Sequence, residues 1–147
     1  MSTPKNRAAL VASMFTELRR MVANSVLFNQ RMADRLKINP TDLQFINLLD
    51  VDGPATPGRL AERSGLTTGG VTVVLDRLEK QGIVKREPNP ADRRSYLVSV
   101  LPKFLRSAEG AYAKMAEATH ALLAQFSDRE LAVIVRFLQK ANETTRV

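Results

Sequence analysis

Residues 83–101, IVKREPNPADRRSYLVSVL, constrain the fold more than any other part of the chain. Two short apolar-rich runs, 83–87 and 95–101, flank a segment broken by Pro88, Asn89 and Pro90. Such runs separated by turn residues predict a β-hairpin. Asp92, Arg93 and Arg94 fall at the far end of its loop. A hairpin tipped by adjacent arginines, directly after a pair of helices, suits a winged helix arrangement. In it a cationic finger addresses a narrow groove of DNA while a helix addresses the wide one.

The rest of the chain reads as helix. Between Lys5 and Asn39 there is no proline or glycine. Leu10, Val11, Met14, Phe15, Leu18, Met21, Val22 and Val26 keep the helical spacing, predicting a helix from Arg7 to about Lys37. Its length, about 45 Å at 1.5 Å per residue, exceeds what one small domain needs and calls for a partner surface. Asn39-Pro40 and Thr56-Pro57 are start signals, with a cap residue followed by proline at the first helical position. Gly53, Gly65 and Gly82 end three successive helices, the third capped by Thr67. Leu101-Pro102 opens another long helix, whose expected buried stripe is Leu105, Ala108, Ala111, Tyr112, Met115, Thr119, Leu122 and Phe126. Ser127 and Glu130 form a capping box for a last helix that frays in the polar tail, residues 142–147.

The expected architecture is mainly α with a small β-hairpin wing. One domain spans residues 1–147, with a winged helix-turn-helix region at 39–101. Helical dimerisation regions lie at 5–38 and 102–145. Two chains intertwining their terminal helices is the economical arrangement, since two-fold DNA sites require a dimer; a monomer with a self-contained helical bundle is the alternative.

Composition narrows the function. The net charge is +7, and the excess is spread: residues 1–40 carry 7 basic and 2 acidic side chains, residues 53–100 carry 8 and 5. That balance favours polyanions, because neutralising phosphates releases condensed counterions. Charges interrupt every segment before the roughly 18 apolar residues of a membrane span. Residues 1–7 lack an apolar leader core, so the cytoplasm is the expected compartment. With no cysteine, disulfides and thiolate metal sites are excluded. His120 stands alone, and there is no nucleophile–base pairing, phosphate-binding glycine motif or metal-ligand spacing, so neither an enzyme nor a metal or cofactor site is expected.

Residues 56–81 read as helix-turn-helix. In its second helix Val71, Val74, Leu75 and Leu78 share one face and should be core. Thr68, Gly69, Thr72, Val73, Asp76, Arg77 and Lys80 then face outward. The candidate DNA-binding residues are Thr56, Thr67, Thr68, Gly69, Gly70, Thr72, Val73, Arg77, Arg93, Arg94 and Ser95. Threonine hydroxyls can bond bases or phosphates, and their methyls can meet a thymine methyl. Gly69 and Gly70 cost roughly 1 kcal/mol each in helix propensity, which points to close approach either of DNA or of a crossing helix. Arg77 is long enough for a guanine edge or a phosphate, and could instead pair with Asp92 to position the wing. Thr56 is a phosphate donor or a plain cap. Arg93 and Arg94 suit a narrow minor groove, whose negative potential is concentrated. Asp92 would repel phosphate, so it is read as stabilising the wing by orienting an arginine.

The order L-T-T-G-G-V-T-x3-D-R-L-E-K-Q-G-I-V-K-R-x-P-x-P-x-D-R-R-S-x-L-V-x-V, from Leu66 to Val100, resembles the MarR family of bacterial transcriptional regulators. D-R-L-E-x-x-G together with D-x-R (Asp92, Arg94) is the specific part. The resemblance implies a homodimer joined by terminal helices, recognition helices in successive major grooves of a palindromic operator, and wing arginines in the flanking minor grooves. It implies that Arg94 is the minor-groove residue with Arg93 its helper, and that Asp92 steadies the wing. It also implies a repressor released by a small aromatic or anionic effector held between the dimer region and the winged domain, and residence at the bacterial nucleoid when bound. Here Leu101-Pro102 replaces the family's usual leucine-threonine pair, altering how the next helix begins. The missing cysteine excludes a thiol peroxide sensor. Phe15, Leu18, Phe28 and Ile46, with Arg19 or Arg31, are candidate effector-pocket walls or ordinary core, and no ligand-binding residue is assigned. The competing reading is an architectural DNA binder or protein-interaction module without an effector, since a winged fold alone does not settle function.

Overall fold

The computed structural model describes residues 4–144. The residues 1–3 of the N-terminal segment and 145–147 of the expected frayed tail lie outside the described residues. The element order is α1 (Pro4–Leu36), α2 (Pro40–Asp52), α3 (Pro57–Ser64), α4 (Thr68–Lys80), β1 (Val84–Pro88), β2 (Tyr96–Val100), α5 (Pro102–Leu123) and α6 (Asp128–Thr144). No described helix is long and apolar enough to cross a membrane. The chain forms two compact units, Met1–Ile46 and Asn47–Val147, which divide within α2.

In the first unit α1 ends where Lys37 turns into the left-handed region at φ 57°. Asn39 Oδ1 then accepts the Thr41 N–H at 2.8 Å, satisfying one open donor at the start of α2. Met32, Ala33, Leu43, Phe45 and Ile46 are buried, whereas the expected apolar stripe along α1 is exposed from Leu10 to Val26, apart from half-buried Leu18.

The second unit carries the wing. Thr56 Oγ1 accepts from Arg59 N at 3.2 Å and caps α3, which closes at Gly65 with φ 70°. Thr67 Oγ1 accepts from Gly70 N at 3.1 Å and caps α4. Val71, Val74, Leu75 and Leu78, one face of α4, are all buried, together with Leu60, Ile83, Val84 and Val98. That cluster is the core on which the wing is built. Gly82, at φ 68°, lets the chain leave α4 and enter β1. β1 and β2 pair antiparallel with Arg86 opposite Val98 and Pro88 opposite Tyr96. Proline lacks a donor and is tolerated on such an edge. A further bridge, Ala55 to Val98, ties the turn between α2 and α3 to β2, with N···O distances of 3.1 and 2.8 Å.

α5 begins at Leu101 without a side-chain cap, as expected from the loss of threonine there. The Leu101 N–H is instead donated to Ile83 O at 2.8 Å. The stripe expected to be buried along α5 needs correction. Ala108 is buried and Leu105, Ala111 and Tyr112 are half-buried, but Met115, Thr119, Leu122 and Phe126 are exposed in the single chain. Periodicity marks an apolar face; it does not say that the same chain covers it. Burial, and secondarily the charge of Asp50, pushes the Tyr112 hydroxyl pKa up. The Ser127 capping box forms: the Ser127 N–H donates to Glu130 Oε2 at 2.9 Å and Glu130 N donates back to Ser127 Oγ at 3.4 Å.

Candidate nucleic-acid interface

α4 turns its larger side chains inward and leaves a small, polar edge outside. Thr68, Gly69, Thr72, Val73, Asp76 and Lys80 are exposed, while Gly70 and Arg77 are half-buried. The glycines differ. A Cβ at Gly69 would meet nothing within 4 Å, so no crossing helix of this chain requires a glycine there. At Gly70 a Cβ would lie 3.4 Å from Thr67 Oγ1, against the capping hydroxyl. The Thr72 hydroxyl donates to Thr68 O at 3.0 Å, which leaves its oxygen able to accept. Val73 is 60% exposed, an apolar contact surface in the middle of a polar edge. Thr56 and Thr67 use their oxygens as cap acceptors and keep their hydroxyl protons for donation.

The wing loop is shaped from within. Asn89 Oδ1 accepts from Ala91 N at 3.0 Å, and Asn89 Nδ2 donates to Ser95 Oγ at 2.9 Å. Ser95 Oγ donates in turn to Asp92 O at 3.1 Å. The structure thus turns the Ser95 hydroxyl into the loop, apart from the exposed arginines. Asp92 Oδ1 accepts from the backbone N of Arg94 at 3.0 Å and from its Nε at 3.4 Å. The Arg94 side chain is nevertheless 93% exposed. An exposed pair of this kind adds roughly 0–1 kcal/mol, so its effect is to aim the guanidinium. Arg93 is exposed beside it.

One cluster escaped the sequence reading. Arg86, from β1, donates through Nη2 to Asp76 Oδ1 at 2.6 Å and pairs through Nη1 with Glu79 Oε2 at 3.0 Å. Its guanidinium also lies 5.2 Å from the centre of the Tyr96 ring. The hydrogen bond to Asp76, chiefly, raises the Arg86 pKa above its ordinary value against the opposing effect of burial. Arg86 thus links the wing to α4, and the Asp92 carboxylate accepts from Arg94. The signal was present in D-R-L-E, where Asp76 and Glu79 stand three residues apart on one side of α4.

A cavity of about 420 Å³ opens beside Thr56, lined by Leu48, Pro54, Arg59, Leu60 and Leu97 and by Arg63, which is paired with Asp52. Of the residues read from the sequence as pocket wall or core, Ile46 is buried and Phe15 is exposed. Among the described residues no three His, Cys, Asp or Glu side chains cluster to hold a metal.

Residues 36–95 match the MarR family. The chain is 36% identical over 141 residues to the HTH-type transcriptional regulator YcgE of Bacillus subtilis, spanning 96% of this chain and 92% of that protein. A solved MarR family protein from Bacillus stearothermophilus shares the fold with a TM-score of 0.69 and 25% identity, covering 95% of this chain and 98% of the other. A mutant MarR of E. coli complexed with operator DNA aligns with a TM-score of 0.56 and 24% identity, covering 86% and 91%. With α2, α3, α4 and β1 inside the matched segment and a relative at that identity along nearly its whole length, the chain belongs to the MarR family of DNA-binding transcriptional regulators, which are not enzymes.

Proposed function

We propose that the chain works in the cytoplasm as a homodimeric repressor of a palindromic operator. Each α4 enters a major groove through Thr68, Gly69, Gly70, Thr72, Val73 and Arg77. Thr56 and Thr67 donate to phosphates at the helix starts, where free N–H groups add to the attraction. Arg94, with Arg93 beside it, enters the flanking minor groove, and Asp92 and Ser95 hold the loop that carries them. The observation that carries this reading is the Arg94 side chain, 93% exposed yet aimed by Asp92. An arginine that is fixed in direction and left in solvent is suited to a ligand outside the chain.

The exposed apolar faces of α1, α5 and α6 support a second copy as the partner of the terminal helices. Two copies place two α4 helices on half-sites about 34 Å apart. A small aromatic or anionic effector that favours another spacing then lowers operator affinity by linkage.

The test is a genomic-fragment pull-down at two salt concentrations with Arg94→Ala as control. A small set of palindromic fragments, lost with Arg94→Ala, is expected. Uniform binding that disappears steeply with salt would reduce the interaction to the net charge of +7. No capture at either salt would overturn the reading.

A further inference from the structure

Arg93 and Arg94 can enter a minor groove in step with α4 only if the wing stands at a fixed angle to that helix. Backbone bonds secure the hairpin at its base, where Ile83 N donates to Leu78 O at 3.0 Å and Leu101 N to Ile83 O. The arginines sit at the other end, beyond Pro88 and Tyr96. Between base and tip, one side chain reaches from the hairpin to the helix in two directions at once. Arg86 grips Asp76 and Glu79, one turn apart on α4, at 2.6 and 3.0 Å. Its face meets the ring of Tyr96, the diagonal neighbour on β2 and the first strand residue after the wing loop. Its Nε is buried without a hydrogen-bond partner. The guanidinium is therefore turned to satisfy the two carboxylates rather than all of its own donors.

We propose that Arg86 is a positioning residue for DNA recognition: it clamps the wing to α4 at the angle that lets Arg94 reach the minor groove while α4 lies in the major groove. This rests on the DNA-docking reading above. Arg86 also has an electrostatic effect. Asp76 and Glu79 are exposed on the outer side of α4, and without a nearby cation they would repel phosphates.

Two variants separate position from charge. Arg86→Met breaks the clamp and leaves both carboxylates bare. Asp76→Asn combined with Glu79→Gln removes the paired charges and keeps the arginine. Charge alone moves DNA affinity in opposite directions, weaker in the first and tighter in the second. Positioning moves both the same way. The measurements are affinity by fluorescence anisotropy and hydroxyl-radical footprinting, on a duplex selected from random DNA by the unmodified full-length protein. Both variants should lose protection of the flanking minor grooves, keep the contacts of α4, and bind about tenfold or more weakly, as expected for one lost base-level contact. Arg86→Lys, which offers a point charge without the fork, should restore part of the affinity and little of the flank protection.

Affinity changes of opposite sign, or intact flank protection in either variant, would overturn the clamp. So would loss of folded circular dichroism in both variants, which would make Arg86 a residue of stability alone. Arg94→Ala, run alongside, separates the two levels. Flank protection erased by Arg94→Ala but kept by the clamp variants overturns only the role of Arg86. A footprint unchanged by Arg94→Ala overturns the docking reading and this proposal with it.

Discussion

Helices α1 and α4 carry apolar residues at the same spacing and meet opposite fates. On α4, Val71, Leu75 and Leu78 are fully buried, while on α1 Phe15 and Val26 are each 65% exposed. The α4 stripe is covered within its own unit, where α3 and β1 pack against α4. The α1 stripe has the composition of a core and the exposure of a surface. Two helices with the same pattern can therefore differ in what covers them: one is covered within its own unit, and the other is left exposed.

Substitutions in the two stripes should respond differently to protein concentration. Leu75→Ala should cost about 2–5 kcal/mol of folding stability, the usual range for truncating a buried leucine. Chemical unfolding should show that loss at every protein concentration. Val22→Asp, on the exposed stripe, should instead weaken self-association at least about tenfold, since a charge buried in an interface without a partner is costly. Sedimentation velocity over a dilution series reads that shift directly. If Val22 faces only solvent, the substitution stays within about 0.5 kcal/mol and nothing depends on concentration.

Smaller effects are expected at a turn and at a helix cap. Gly82→Ala should destabilise by about 1–2 kcal/mol, because an L-residue is strained in the left-handed region. Gly82 stands at φ 68° with nothing within 4 Å of an added Cβ, so the cost comes from the backbone alone. The smallest effect is expected at the start of α6. The Ser127 side chain, and then its backbone N–H, hold the Glu130 carboxyl below the usual range. A depressed folded pKa contributes stability that is present above the unfolded value near 4.3 and lost as pH falls through the folded one. NMR titration of Glu130 should give a midpoint below that of a free glutamate, and Ser127→Ala should return it upward.

What was legible in the sequence was local. Thr56, Thr67 and Ser127 announced caps because a cap is settled within three residues. Gly65 and Gly82 announced helix ends because few other residues tolerate their positive φ. The inward face of α4 followed from spacing alone, since all four of its core residues lie within two turns. The Arg86 clamp was not legible, because it joins a helix to a strand across ten residues and depends on the register of the hairpin. The Ala55–Val98 bridge was hidden for the same reason: a single residue between two helices has no strand pattern. Nor did the position of Ser95 beside two arginines announce that its hydroxyl would be engaged by Asn89 and Asp92 inside the loop. Sequence adjacency on a wing says who is near the tip and not which way each side chain turns.

An exposed helical surface beside a completed winged unit fits the proposal that two chains act on one DNA site. Sedimentation equilibrium of the protein alone, and then bound to a selected palindromic duplex, tests this most directly. The expected result is the mass of two chains at micromolar concentration and two chains per duplex, with Val22→Asp dissociating the first and weakening the second. A single chain at the same concentrations, binding the duplex one to one with undiminished affinity, would contradict it.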